Sequence, residues 1–145
     1  MENFFKEVLI ALSKQSKCVS RQVGAIIVRD GRIISTGYNG TISGYKNCCD
    51  VFDKDNFDSI KHHQWSQKFE IHAEQNAIIQ AAKNGISVNG CTCYTNLQPC
   101  NLCLLLLIQS GIKEIVYLEE YNRSDYGGDL LELIKDKNIA LRKFK

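Results

Sequence analysis

Ile71-His72-Ala73-Glu74 and, further on, Gln98-Pro99-Cys100-Asn101-Leu102-Cys103 are the stretch around which the rest of the chain organises. Zinc prefers nitrogen and sulfur ligands, and a catalytic zinc takes three from the protein and leaves the fourth position to water. His72, Cys100 and Cys103 make up such a set, and Glu74 stands beside them with no need to be a ligand. Cys100 and Cys103 are spaced i, i+3, so both sulfurs share one face at the start of a helix. A helix N-terminus also favours thiolate over thiol, because its free N–H groups and dipole stabilise negative charge. Pro99 fits just ahead of that helix, where its missing N–H costs nothing. The plainer alternatives are a structural zinc, or two buried thiols with a satisfied histidine. A structural knuckle ordinarily brings a second C-x-x-C pair, and Cys91 and Cys93 are separated by only one residue. The donor set reads as a catalytic zinc.

Outward from this stretch, the apolar pattern sets the elements. Residues 72–84 predict a helix with Ala77, Ile78, Ala81 and Ala82 inward, ended by Gly85. Residues 91–95 read as a strand, 100–110 as a strongly apolar helix stopped by Gly111, and 114–118 as a second strand. A helix over 129–137 and a short strand over 139–142 close the chain. Upstream, residues 3–14 carry a helical stripe of Phe4, Phe5, Val8, Leu9, Ala11 and Leu12. Residues 23–28 and 33–36 are apolar β-formers around Asp30-Gly31, a hairpin signal. Residues 39–68 have no clear period and read as an irregular insertion, the kind of long loop that is usually functional. A hairpin followed by α-β-α-β-α-β predicts an α/β, three-layer α/β/α fold on a mixed five-stranded sheet. The whole of 1–145 reads as one domain, without repeats, linkers or low-complexity tracts.

With 44% hydrophobic and 23% charged residues, the composition is that of an ordinary globular chain. A net charge of +2 is too even for a nucleic-acid-binding surface, which argues against an editor of bases in RNA. The run from Leu104 to Ile108 is too short to span a bilayer, so no membrane partner is expected. Met1 to Lys6 has an early acid and no apolar core, so no secretory signal is expected there. Seven cysteines without such a signal suggest thiols and metal ligands in a reducing compartment. A cytoplasmic location follows.

Phe69 to Ile78, with His72-Ala73-Glu74 inside it, and Pro99-Cys100-Asn101-Leu102-Cys103 together resemble the cytidine deaminase superfamily. The ordered H-x-E…P-C-x-x-C signature is that of zinc deaminases acting on nucleobases. Ile34 to Gly40, followed by Asn47-Cys48-Cys49-Asp50, narrows the resemblance to deoxycytidylate (dCMP) deaminases, most like the phage type. Val23 to Val28 also matches that family's first strand, and the resemblance covers nearly the whole chain.

The resemblance implies hydrolysis of dCMP to dUMP and ammonia, feeding thymidylate synthesis in the host cytoplasm for a phage protein. It makes Glu74 the proton carrier. It places Asn39 at the sugar hydroxyl and the Ala73 backbone against the pyrimidine, with Ser20, Arg21 and Tyr121 near the 5′-phosphate. Relatives often have Arg where Ser20 stands; alone, Asn39-Gly40 also reads simply as a turn. A second, structural zinc on Cys18, Cys48, His62 and Glu70 is likewise implied. So are a homo-hexamer and regulation by dCTP as activator and dTTP as inhibitor, with Gly40, Gly44, Asn47 and Lys83 around the effector. The runners-up are a deaminase of free cytidine or deoxycytidine, or of a base in RNA. A different class altogether is a silent zinc-stabilised binding module, against which Glu74 speaks: a non-ligand carboxylate has no use there.

Overall fold

Gly24–Arg29 form β1, and Gly24 through Val28 are all buried. A strand covered on both faces must be apolar at every position rather than at alternate ones, which this run is. The computed structural model describes residues 1–121 and 126–145. Its sheet also contains β2 (Arg32–Tyr38), β3 (Thr92–Leu97), β4 (Glu114–Glu119) and β5 (Ala140–Lys143), in the order β2-β1-β3-β4-β5. β1 runs antiparallel to β2 and β3, while β3, β4 and β5 are parallel. The β1–β2 hairpin turns at Asp30 (φ 52°) and Gly31 (φ 76°), the two positive φ angles that a two-residue primed turn requires.

The period of two along the strands sorts side chains between two layers. On one face Ile26, Val28, Tyr94 and Val116 pack with Phe5 and Leu9 of α1 (Glu2–Ser13). On the other, Ala25, Ile27, Cys93 and Ile115 meet three further helices. These are α4 (Ala73–Lys83), α5 (Asn101–Gln109) and α6 (Gly127–Asp136), which contribute Ala77 and Ala81, Leu104 and Leu107, and Ile134. The architecture is the expected three-layer α/β/α fold on a mixed five-stranded sheet. Leu104 and Leu107 are fully buried, and burial of a leucine is worth roughly 1.5–3 kcal/mol, so α5 is held chiefly by this face.

The expected irregular stretch over 39–68 needs correction, because it contains α2 (Cys48–Val51) and α3 (Ser59–Phe69). The helix α3 starts at Asp58, whose carboxylate accepts from the Ile60 and Lys61 amides at 2.9 and 3.0 Å. Its packed side chains are His62, Trp65 and Phe69, with Phe52 edge-on to His62 at 5.2 Å and to Trp65 at 5.6 Å. An aromatic and imidazole stripe of this kind escapes a search for aliphatic periodicity. Elsewhere the element limits lie within a few residues of those read from the sequence.

Candidate active site

The carboxyl ends of β2, β3 and β4 point the same way, and the candidate site lies beyond them. Open α/β sheets place ligands at the strand ends in this manner. Gly37 near the end of β2 lets α4 sit close, since a Cβ there would collide with the Ala73 carbonyl and the Ala77 amide. The start of α4 is fixed by the His72 amide donating to Gln75 Oε1 at 2.8 Å. His72 is the N-cap, which sets its ring at the start of α4. Cys100 is the N-cap of α5 and Cys103 lies one turn in.

The three donors converge. His72 Nδ1 lies 3.5 Å from Cys100 Sγ and 3.2 Å from Cys103 Sγ. Tetrahedral zinc with its usual bond lengths sets N···S separations at ~3.5 Å, so the set fits that ion. A hydrogen bond from the Cys103 thiol, with help from His72, draws the Cys100 thiol down to about 4. The same bond and burial push Cys103 well above the usual range. The Cys100 sulfur is thus the one most readily offered as a thiolate to a cation. Glu74 is buried beside them, and burial pushes its carboxyl up to about 7. An adjacent dication pulls such a carboxyl back down.

A cavity of about 480 Å³ opens over these groups. Glu74, Ala73, Ser20, Arg21, Asn39 and Tyr121 all line it, so every expected catalytic and substrate residue meets in one space. The Arg21 guanidinium lies over the Tyr121 ring, 4.9 Å from its centroid. Asn39 does more than turn the chain. Its Oδ1 accepts from the Val23 amide at 2.9 Å and its Nδ2 donates to the Arg21 carbonyl at 2.9 Å.

A second donor cluster borders the same cavity. Cys18, Cys48, His62 and Glu70 offer four ligand atoms lying within 4.8 Å of one another. Cys18 Sγ is 3.6 Å from both His62 Nε2 and Glu70 Oε1, and the Val19 amide donates to Cys48 Sγ at 3.4 Å. Burial pushes the Cys48 thiol up to about 12 and also raises Cys18. Among the described residues, Glu70 Oε2 is buried with no hydrogen-bond partner, an anomaly that a cation would remove. The neighbours Cys49 and His63 are exposed.

The effector candidates are more dispersed. Gly40 pairs with Ile71 through reciprocal main-chain bonds, and Gly44 has φ 87°. Asn47 caps α2 and its amide donates to Asp50 Oδ2 at 2.8 Å, while Lys83 ends α4. Among the described residues, no hydrogen bond or ion pair joins Lys83 to that loop.

Three site-forming residues escape sequence reasoning. Gln98 takes the Tyr121 amide on Oε1 at 3.2 Å, and its own amide donates to the Glu119 carbonyl at 2.8 Å. The buried Tyr126 hydroxyl donates to the Pro99 carbonyl at 2.6 Å, steadying the turn that carries Cys100. Asn96 donates to the Gln22 carbonyl at 3.1 Å and accepts from the Gly24 amide at 2.8 Å. Each works through main-chain partners, which residue type does not encode. A polar residue just before P-C-x-x-C is the only available signal.

The model of the cytidine and deoxycytidylate deaminase zinc-binding region matches residues 1–119, and this chain belongs to that family. Within the family it is similar to deoxycytidylate deaminases of phage type. The deoxycytidylate deaminase of Enterobacteria phage T4 is 41% identical to it, across 93% of this chain and 85% of its own length. The human deoxycytidylate deaminase is 35% identical, across 97% and 78%. The dCMP deaminase of cyanophage S-TIM5, solved in complex with dCMP and dUMP, is 28% identical with a TM-score of 0.77, covering 99% and 96% of the two chains. Among the described residues, no helix is long and apolar enough to cross a membrane.

Proposed function

We propose that this protein hydrolyses dCMP to dUMP and ammonia as a zinc-dependent, single-domain aminohydrolase. The observation that carries the reading is one cavity lined by a buried acid, an arginine and two members, His72 and Cys100, of a His-Cys-Cys donor set. Held by His72, Cys100 and Cys103, zinc would supply the Lewis acidity that lowers the pKa of water from 15.7 to about 7. Glu74 takes a proton from the attacking water and delivers it to N3 of the cytosine. It then takes the proton of the new C4 hydroxyl and passes it to the departing amine as the C4–N4 bond breaks and the C4 carbonyl forms, so that both protons of water are accounted for, one on N3 and one in ammonia. General acid–base work of this kind is worth ~10²–10⁴ in rate. Buried Ala73 walls the pyrimidine, and Asn39 keeps one amide hydrogen and one lone pair for the sugar hydroxyl. Arg21, aided by Ser20 and Tyr121, takes the 5′-phosphate, which its planar fork of donors matches.

The finer parts of the reading rest on the family resemblance. The product feeds thymidylate synthesis in the cytoplasm. A homo-hexamer responds to dCTP as activator and dTTP as inhibitor through Gly40, Gly44, Asn47 and Lys83. A second, structural zinc sits on Cys18, Cys48, His62 and Glu70, where the orphaned Glu70 oxygen supports it.

The test is ammonia release from dCMP, deoxycytidine, cytidine and adenosine in parallel. The expected result is dCMP preferred by a wide margin, because the phosphate adds charge-assisted hydrogen bonds the nucleosides cannot make. Equal kcat/KM for dCMP and deoxycytidine would contradict it and favour a nucleoside deaminase.

A further inference from the structure

Residues 21–24 lead into β1 at the point where both of its neighbours stop pairing with it. The β1–β3 ladder ends at Ala25 opposite Thr95, and the β1–β2 ladder ends at Gly24 opposite Tyr38. An extended chain points its main-chain groups alternately to the two sides, so the next residues need partners on both flanks. On the β2 flank Asn39 supplies them through its backbone amide to the Val23 carbonyl (3.2 Å), its Oδ1 to the Val23 amide and its Nδ2 to the Arg21 carbonyl. On the β3 flank Asn96 does the same, with Oδ1 accepting from the Gly24 amide at 2.8 Å and Nδ2 donating to the Gln22 carbonyl at 3.1 Å. Two side-chain amides thus replace the ladders and hold an extended segment between the separating strands. Arg21 is the first residue of that segment, and its guanidinium rests on Tyr121 in the cavity.

We propose that Asn96 is a positioning residue for nucleotide recognition: it clamps the 22–24 backbone and thereby holds Arg21 where the 5′-phosphate binds. Asn96 does not line the cavity and acts only through the segment it grips. The proposal rests on the assignment of Arg21 to the phosphate. An amide is needed because the grip takes one donor and one acceptor on a short stem. Leucine keeps the shape and loses both bonds, while aspartate keeps the acceptor and sets a carboxylate against the Gln22 carbonyl.

The experiment compares zinc-loaded wild type, Asn96→Leu, Asn96→Asp and Arg21→Ala, each assayed with dCMP and with deoxycytidine, with zinc content and Tm measured alongside. For Asn96→Leu the dCMP-to-deoxycytidine ratio of kcat/KM should fall roughly tenfold, the size of one lost hydrogen bond to a charged group. The loss should lie mainly in the KM for dCMP. Asn96→Asp should fall in the same direction, and it serves as the test if the leucine variant does not fold. Equal losses on both substrates, or an unchanged ratio, would overturn the proposal, since a merely structural role moves both alike. If Arg21→Ala lowers the ratio and the Asn96 variants do not, the clamp is wrong and the phosphate assignment stands. If Arg21→Ala itself leaves the ratio unchanged, both are wrong.

Discussion

Two clusters of cysteine, histidine and glutamate lie along one cavity, and they are built in opposite ways. His72, Cys100 and Cys103 are three donors at the starts of α4 and α5, whose helices the sheet holds in place; His72 and Cys100 line the cavity, with buried Cys103 and the Glu74 carboxyl beside them. Cys18, Cys48, His62 and Glu70 are four donors, three of them buried, drawn from a stretch with little aliphatic core. Three donors and an open face suit chemistry; four donors in a closed shell suit structure. The protonation states differ in the same sense. Cys100 is drawn down to about 4, while burial pushes Cys48 up to about 12. Neighbours thus favour a thiolate at Cys100, whereas burial disfavours one at Cys18 and Cys48. The scaffold orders the first cluster, and in the proposed reading a second ion orders the other.

Removing a donor from each cluster should separate the roles. Cys100→Ser keeps a good N-cap for α5, so the fold should persist. Turnover should fall by more than the ~10–100-fold that loss of a supporting partner costs, with zinc content down by one per chain. Retained activity in a variant short of zinc would break the contrast. Cys48→Ser should also lower zinc by one per chain, yet leave the catalytic zinc in place and loosen residues 41–69 to hydrogen exchange. A wild-type preparation with one zinc per chain, or unchanged metal in this variant, would mean that the second cluster is only a thiol-rich corner.

The smallest expected effect sharpens the comparison through pH. Zinc binding displaces ligand protons, so affinity rises with pH at both clusters. Cys18 and Cys48 are both raised by burial, whereas Cys100 is drawn down to about 4 and in turn raises His72. Titrated from about pH 6 to 8, the cluster left in Cys100→Ser should gain affinity more steeply than the one left in Cys48→Ser, by less than one proton, because zinc also displaces the proton that Cys100 favours on His72. Equal slopes would remove the electrostatic difference between them.

Much of this was legible in the sequence, for identifiable reasons. The helix stops at Gly85 and Gly111 were readable because only a residue without Cβ takes φ of 66° and 96° easily. The donor set around His72 was readable because zinc chemistry restricts residue type as well as spacing. The helix α3 was missed because its packed face is His62, Trp65 and Phe69 rather than a run of aliphatic residues. Asn96 and Tyr126 were missed because they grip main-chain atoms, and any sequence offers those everywhere.

The account turns on Glu74 as a proton carrier that is not a ligand. Glu74→Gln replaces the carboxylate by a neutral amide of nearly the same shape, and zinc per chain can be measured on the same sample as ammonia release from dCMP. The account predicts wild-type zinc content with turnover down at least ~10²-fold. Zinc lost together with activity would make Glu74 a ligand, and full turnover with zinc retained would leave the reaction without its acid and base.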